Sequence, residues 1–167
     1  LALTTNGSHL ADFGHALRDA GVNAINISLD SLQADRFKTI TRIGDLDTVL
    51  QGIDRAVECG FDRIRLNAVI LDGLNRDEVV PLTHYALEKG VHIAFIEEMP
   101  LGQVNVGGKP LDYVSSDTLQ QELAEHFSLV PMTASDTAGP ARDFLIAGTQ
   151  TQVGFISPHS QNFCAQC

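Results

Sequence analysis

The sequence predicts an α/β fold in which parallel strands form part of a (β/α) barrel. Four stretches, over residues 1–5, 24–29, 63–70 and 91–97, alternate apolar with polar side chains and finish on polar residues, as half-buried strands do. Helical patterns separate them, which favours a parallel sheet with right-handed crossovers. Strands covered on both faces read as continuous apolar runs. The alternation therefore indicates a barrel wall whose inner face meets a ligand.

Apolar residues recur at helical spacing between these strands, and three of the helical patterns close at Gly21, Gly60 and Gly90, where a left-handed residue is favoured. A helix with Ser115 or Ser116 as its cap follows a glycine-rich loop. Two strands near the end, over 144–146 and 153–156, are expected to form a two-stranded extension laid against the sheet. The predicted helices are 10–20, 33–40, 46–57, 79–87 and one beginning near 114.

The composition of the chain limits the classes of function that it can have. The chain has 44% hydrophobic and 19% charged residues, which is ordinary for a globular protein. Its formal net charge of −10 argues against nucleic acid or an anionic membrane as a partner, because both require clustered cations. An anionic small ligand would have to be held by a few local cations such as Arg65, by backbone N–H groups or by a metal. No apolar run approaches bilayer length, so we expect a soluble, cytoplasmic protein.

Both ends of the sequence look cut. It begins on Leu1, inside a strand pattern, and finishes on Cys167, inside an apparent ligand motif. We therefore expect a fragment, with a partial barrel over residues 1–113 and the start of a carboxyl-terminal extension over 114–167.

The most specific local feature is the pair Cys164-x-x-Cys167. Two thiolates at this spacing either chelate one metal centre or form a redox pair. The motif does not open a helix after a strand, which favours half of a metal or iron–sulfur site. Two unremarkable thiols remain the alternative. For Cys59, next to its helix-closing glycine, packing is the expected role.

Three other residues have both a functional and a plain interpretation. Arg65, in a strand, either anchors a phosphate or pairs with a carboxylate such as Glu97. Ser28 and Thr4 either bind ligand hydroxyls or cap the helices that follow. Met99 is ordinarily core filler. The six histidines lack ligand spacing and are interpreted as surface or structural residues.

Six motifs occur in a fixed order: LTTNG at 3–7, INISLDS at 25–31, RLN at 65–67, FIEEMP at 95–100, GPAR at 139–142 and FCAQC at 163–167. Together they closely resemble the GTP 3′,8-cyclase family of radical S-adenosylmethionine (SAM) enzymes, which acts in molybdenum cofactor biosynthesis. The likeness covers essentially the whole chain. It implies a six-stranded partial barrel, of which this chain supplies the last four strands.

The resemblance also implies a reaction. One [4Fe–4S] cluster cleaves SAM reductively, the 5′-deoxyadenosyl radical takes hydrogen from the ribose C3′ of GTP, and the carbon radical attacks guanine C8 to give 3′,8-cyclo-7,8-dihydro-GTP. A second [4Fe–4S] cluster holds the guanine. A homodimer, and a next pathway enzyme that receives the product, are implied as partners.

Carried over by position, the resemblance assigns SAM contacts to Ser28 and Met99 and GTP contacts to Thr4 and Arg65. The family commonly has Lys at the position of Arg65, and Arg keeps the charge. Cys164 and Cys167 match two of the three cysteines of the second cluster. A barrel interior that excludes water would protect a carbon radical from quenching.

The sequence departs from the family at both ends. The Cys-x3-Cys-x2-Cys motif of the SAM cluster and the third cysteine of the second cluster do not occur in it. We therefore expect no catalytic residue in this chain and no cyclase activity from it alone. The alternatives are a fragment of another radical SAM enzyme with a carboxyl-terminal auxiliary cluster, a non-catalytic β/α remnant, and a barrel enzyme without a cluster.

Overall fold

A computed structural model describes residues 1–99, 105–106, 109–110, 113–133 and 141–160. Its main feature is one seven-stranded sheet, and a separate two-stranded ribbon pairs β5 with β6. The strands are β1 Ala2–Thr5, β2 Ala24–Ser28, β3 Arg63–Ile70, β4 His92–Glu97, β5 Asn105–Val106, β6 Lys109–Pro110, β7 Leu129–Pro131, β8 Ala141–Ile146 and β9 Gln152–Ile156.

The sheet has the order β1-β2-β3-β4-β9-β8-β7. The first four strands are mutually parallel, which confirms the parallel sheet predicted from the alternation of strands and helices. β9 pairs parallel to β4, and β8 and β7 then continue the sheet antiparallel. All seven strands form one layer, and the observed architecture matches the predicted partial β/α fold.

Helices connect the strands. The structure contains α1 Leu10–Asp19, α2 Ala34–Thr41, α3 Leu46–Glu58, α4 Val79–Lys89, preceded by a 3-10 turn Arg76–Glu78, and α5 Ser116–Ala124.

Local sequence explains where these helices begin and end. Asp45 caps α3 by accepting from the Thr48 N–H at 3.0 Å, and Ser115 rather than Ser116 caps α5 by accepting from Thr118. Such caps satisfy amide groups that have no partner within the helix. Gly90 stops α4 with φ +67°, a conformation that L side chains resist.

The sheet has one apolar and one polar face. Ile27, Leu66, Ile93, Phe95 and Phe155 are fully buried in the core beneath the helices. Side chains alternate between faces along a strand, and most residues of the other face are polar or small, with Val69, Ile96 and Ile156 as apolar exceptions. The two-residue period seen in the sequence therefore marks a real division between the helix-covered face and a second face.

Two features of the packing differ from the patterns in the sequence. Phe13 fits the helical repeat of α1, yet it is 56% exposed, because Leu10 and Gly14 are the buried residues of that helix. The carboxyl-terminal strands are not a two-stranded extension laid against the sheet. β7, β8 and β9 extend the sheet itself, since the edge of β4 offers unpaired backbone groups that β9 satisfies.

The sheet also crosses the predicted boundary between residues 113 and 114, because β4 lies before it and β9 after it. The division of the chain there stays a prediction. Within the described ranges, none of the helices has the length and apolar character needed to cross a membrane.

Candidate functional site

Polar residues of three neighbouring strands lie side by side on the face of the sheet opposite the helices. The register pairs Thr4 with Asn26 and Asn26 with Arg65, and two residues further along it pairs Ser28 with Asn67. The Asn26 side-chain amide lies 3.5 Å from the Thr4 hydroxyl. We call these residues, together with Asp143, the polar face.

Arg65 is the most buried cation of this surface, at 8% exposed. Its Nη2 donates to the Asp143 Oδ1 of β8 at 2.6 Å. Ala94 and Gly154 lie between the two strands that carry this pair. The absence of a side chain on Gly154 leaves room for the Asp143 carboxylate, because a Cβ on Gly154 would lie 2.5 Å from Asp143 Oδ1.

The pairing answers one question that the sequence leaves open. Arg65 does pair with a carboxylate, but the expected partner Glu97 was wrong, because Glu97 bonds to other groups and Asp143 provides the countercharge. Burial lowers the pKa of Arg65, and the charge of Asp143 opposes that shift. Arg63, with Nη2 4.0 Å from Asp143 Oδ2, shares the same carboxylate.

Two buried polar atoms of this face lack a hydrogen-bond partner among the described residues: Arg65 Nε and Asn67 Oδ1. A buried donor or acceptor without a partner costs free energy, and such atoms often mark a place for a ligand or a water. The polar face therefore offers one cationic donor and one neutral acceptor next to each other.

Thr4 and Ser28 do not cap the helices that follow them, so that interpretation was wrong. α1 begins after His9 and α2 after Gln33, and neither start has a side-chain cap. Thr4 is exposed and Ser28 half-buried, and both belong to the polar face by register.

Met99 is not core filler. It is 52% exposed, just beyond the carboxyl end of β4. An unbranched thioether side chain at this position is available for contact with a ligand or another segment.

The carboxyl ends of β2 and β3 are held by Asn75, whose side chain is completely buried. Its Nδ2 donates to the carbonyl oxygens of Asp30 at 2.8 Å and Val69 at 2.9 Å, and its Oδ1 accepts from the Leu71 N–H at 2.9 Å. The Asp30 carboxylate accepts from the Val69 N–H. Burial nevertheless raises the pKa of Asp30.

The carboxyl end of β4 carries a second buried carboxylate, Glu97, which is 1% exposed. Oε1 accepts from the Ser116 N–H and the Ser160 hydroxyl, both at 2.7 Å, and Oε2 accepts from the N–H groups of His159 at 3.2 Å and Ser160 at 2.9 Å. Burial raises the pKa of Glu97, but these hydrogen bonds outweigh it and bring the pKa to about 2.

The predicted cluster ligands Cys164 and Cys167 lie outside the described residues. Within the described part, Cys59 is a half-buried free thiol packed against the core, and burial raises its pKa. No group of three metal-ligating side chains occurs in that part of the chain.

Sequence reasoning missed Asp143 and Asn75 as members of this arrangement, and it gave Glu97 the wrong partner. The alternation along β3 places Asn67 on the same face as Arg65 and was a usable signal. Asp143 lies 78 residues beyond Arg65, and no periodicity connects strands so far apart.

Two family models match the chain. The radical SAM superfamily model matches residues 1–86, and the model described as Molybdenum Cofactor Synthesis C matches residues 91–167. The second range begins just before β4, so the seven-stranded sheet contains strands from both ranges.

Curated relatives align over the whole chain. It is 53% identical over 167 residues to the GTP 3′,8-cyclase of Ectopseudomonas mendocina, 52% over 168 residues to that of Pseudomonas putida strain KT2440, and 47% over 167 residues to that of Saccharophagus degradans. The chain spans about half the length of these relatives.

The superfamily match covers β1 to β3 and the helices that follow them, up to residue 86. That segment holds Thr4, Ser28 and Arg65. Because the match covers more than half of the sequence and agrees with the β/α architecture, the chain belongs to the radical SAM superfamily.

Proposed function

We propose that this chain is part of a GTP 3′,8-cyclase, which converts GTP to 3′,8-cyclo-7,8-dihydro-GTP in molybdenum cofactor biosynthesis. The observation that carries the proposal is the identity of 47–53% over the whole chain to relatives of that name. The match of residues 91–167 to a molybdenum cofactor synthesis family favours the cyclase over other radical SAM enzymes with an auxiliary cluster.

In this proposal the polar face binds GTP. Arg65 and Thr4 contact the nucleotide, with Arg65 supplying the charge that a phosphate requires. The unpartnered Nε of Arg65 supports this role, since that N–H still has a bond to offer after Nη2 has bonded Asp143. The net charge of −10 on this chain repels a triphosphate at long range, and a local cation on this face would offset that repulsion.

SAM would be held at the carboxyl ends of the same strands. Ser28 lies at the end of β2 and Met99 beyond the end of β4, which agrees with the general placement of ligands in parallel β/α folds. In this proposal the Ser28 hydroxyl bonds the nucleoside and Met99 packs near the adenine. When bound, SAM and its iron–sulfur cluster supply the radical that begins the reaction.

Cys164 and Cys167 would ligate the second [4Fe–4S] cluster. Thiolates are the expected ligands for such a cluster, so the residue types fit. The remaining ligands would come from elsewhere in the whole protein. Residues 1–113 then serve as the partial barrel and 114–167 as the start of the extension, in a cytoplasmic homodimer whose product passes to the next pathway enzyme.

The test is GTP binding and turnover by the whole protein that contains this chain. We expect Arg65→Ala to weaken GTP binding at least tenfold in calorimetry, because a charge-assisted phosphate contact is worth about 1.5–3 kcal/mol. Arg65→Lys should retain most of the affinity. Arg55→Ala, which removes a cation from the surface of α3, is the matched control. Unchanged GTP affinity in Arg65→Ala would refute the placement of the phosphate.

A second experiment separates this reaction from other radical SAM chemistry. The whole, reconstituted protein with SAM and a reductant should convert GTP to the cyclic product. If the protein cleaves SAM but does not consume GTP, its substrate is not GTP. The isolated chain should show neither reaction.

A further inference from the structure

The carboxylate of Glu97 joins three parts of the chain. It stands at the end of β4, and its four hydrogen bonds come from two other segments: the start of α5, through Ser116, and the turn after β9, through His159 and Ser160. Ser116 is fully buried and Glu97 nearly so. A buried carboxylate that accepts four hydrogen bonds fixes its donors firmly.

Further contacts hold the same turn in place. The ring of Tyr113, just before α5, stacks on His159 with centroids 4.3 Å apart. The Ser116 hydroxyl lies 3.5 Å from the Ile156 carbonyl oxygen at the end of β9. The turn 158–160 is thus attached both to the sheet and to α5.

Glu97 stands between two segments with proposed roles. Met99, the proposed SAM contact, follows it by two residues, and Cys164 follows Ser160 by four. Four residues of chain span at most about 14 Å. Fixing Ser160 to Glu97 therefore anchors the start of the short stretch of chain that leads to Cys164.

From this arrangement we infer that Glu97 is a positioning residue, which holds the turn before Cys164-x-x-Cys167 at the carboxyl end of β4 so that the thiolates reach the second cluster. This inference rests on the proposed function, because it requires the two cysteines to ligate a cluster. It adds a residue that touches neither ligand nor metal and acts through Ser160.

The central variant is Glu97→Gln in the whole protein. A glutamine has one acceptor oxygen, and its amide group faces N–H donors that it cannot satisfy. We expect amide hydrogen exchange at Ser116, His159 and Ser160 to accelerate at least tenfold. The iron attributable to the second cluster should fall, and its EPR signal should weaken or change shape, while the SAM cluster keeps its signal.

Three variants serve as comparisons. Glu88→Gln removes an exposed carboxylate of α4 and should change none of these readouts. Ser160→Ala removes a single hydroxyl donor and should give a smaller effect of the same kind, which keeps the test usable if Glu97→Gln does not fold. The double variant Cys164→Ala/Cys167→Ala defines the loss expected when the second cluster cannot form.

The outcomes are distinguishable. Loss of second-cluster iron in the double cysteine variant and partial loss in Glu97→Gln or Ser160→Ala, with the SAM cluster intact, supports the inference. If second-cluster iron is lost in the double cysteine variant but the second-cluster signal is unchanged in Glu97→Gln and in Ser160→Ala, the inference is overturned. The proposed function then still stands. Unchanged iron in the cysteine variant overturns the cluster assignment itself, and the inference with it.

Discussion

Arg65 on β3 and Asp143 on β8 form an ion pair with a 2.6 Å contact, although two strands separate them in the sheet. Arg65 comes from the radical SAM range of the sequence and Asp143 from the cofactor-synthesis range. The pair thus links the two matched regions on the face proposed to bind substrate.

Replacing Asp143 with Asn should destabilise the protein. The substitution leaves a buried guanidinium without its countercharge, which costs about 3 kcal/mol when one partner of a buried pair is removed. The free energy of unfolding in urea measures the effect. Asp117→Asn, which breaks an exposed pair with Arg142, should cost less than about 1 kcal/mol; equal losses in the two variants would contradict the prediction.

The substitution Gly154→Ala should disturb the ion pair between Arg65 and Asp143. The new Cβ would lie 2.5 Å from Asp143 Oδ1, so the carboxylate must move away, and overpacking of this kind costs about 1–3 kcal/mol. A double-mutant cycle provides the control, because Gly154→Ala should cost markedly less in an Asp143→Ala background. Additive effects on the free energy of unfolding would rule out this clash.

Glu97 should make the free energy of unfolding depend on pH. Its pKa of about 2 lies below the ordinary 4.5, so the folded state favours the charged form. The contribution, on the order of 3 kcal/mol, is complete above pH 4.5 and is lost as the pH falls from 4.5 towards 2. Urea titrations across this range should show a shallower fall in Glu97→Gln than in the unmodified protein. Parallel pH profiles would contradict the shifted pKa.

Asn75→Ala should be strongly destabilising. The change leaves two carbonyl oxygens and one N–H buried without partners at the ends of β2 and β3, and each such group costs about 1–3 kcal/mol. We expect a total loss of at least about 2 kcal/mol in urea unfolding. Asn6→Ala, at an exposed turn, is the control and should lose under about 1 kcal/mol. If Asn75→Ala loses no more free energy of unfolding than the control, Asn75 does not hold the ends of β2 and β3 in place.

Much of the fold could be predicted from the sequence, because the repeating units carry local signals. The strand predicted over 63–70 has the observed bounds, and Gly21, Gly60 and Gly90 all have positive φ. The joining of β9 to β4 was not predictable in the same way, because it depends on an edge that only the assembled sheet presents. The strand β7 was missed altogether.

The candidate site divides in the same way, into residues that local sequence signals indicate and partners that only the assembled fold supplies. Alternation along the strands indicated two different faces, and the structure brings Thr4, Ser28 and Arg65 together on the polar one. Their proposed ligands came from family resemblance and await measurement. The partners that fix the site came from distant parts of the chain, as Asp143 and Ser160 show, and a side chain such as Glu97 gives no sign in sequence of which amides it will accept from.

The order of strands also has a consequence for synthesis on the ribosome. β4 ends at Glu97, but its second neighbour β9 begins only at Gln152, so a growing chain carries β4 with one open edge while more than 50 further residues are added. Exposed strand edges pair readily with other chains. We expect nascent chains that stop before β9 to aggregate, and chains that include it to remain in solution.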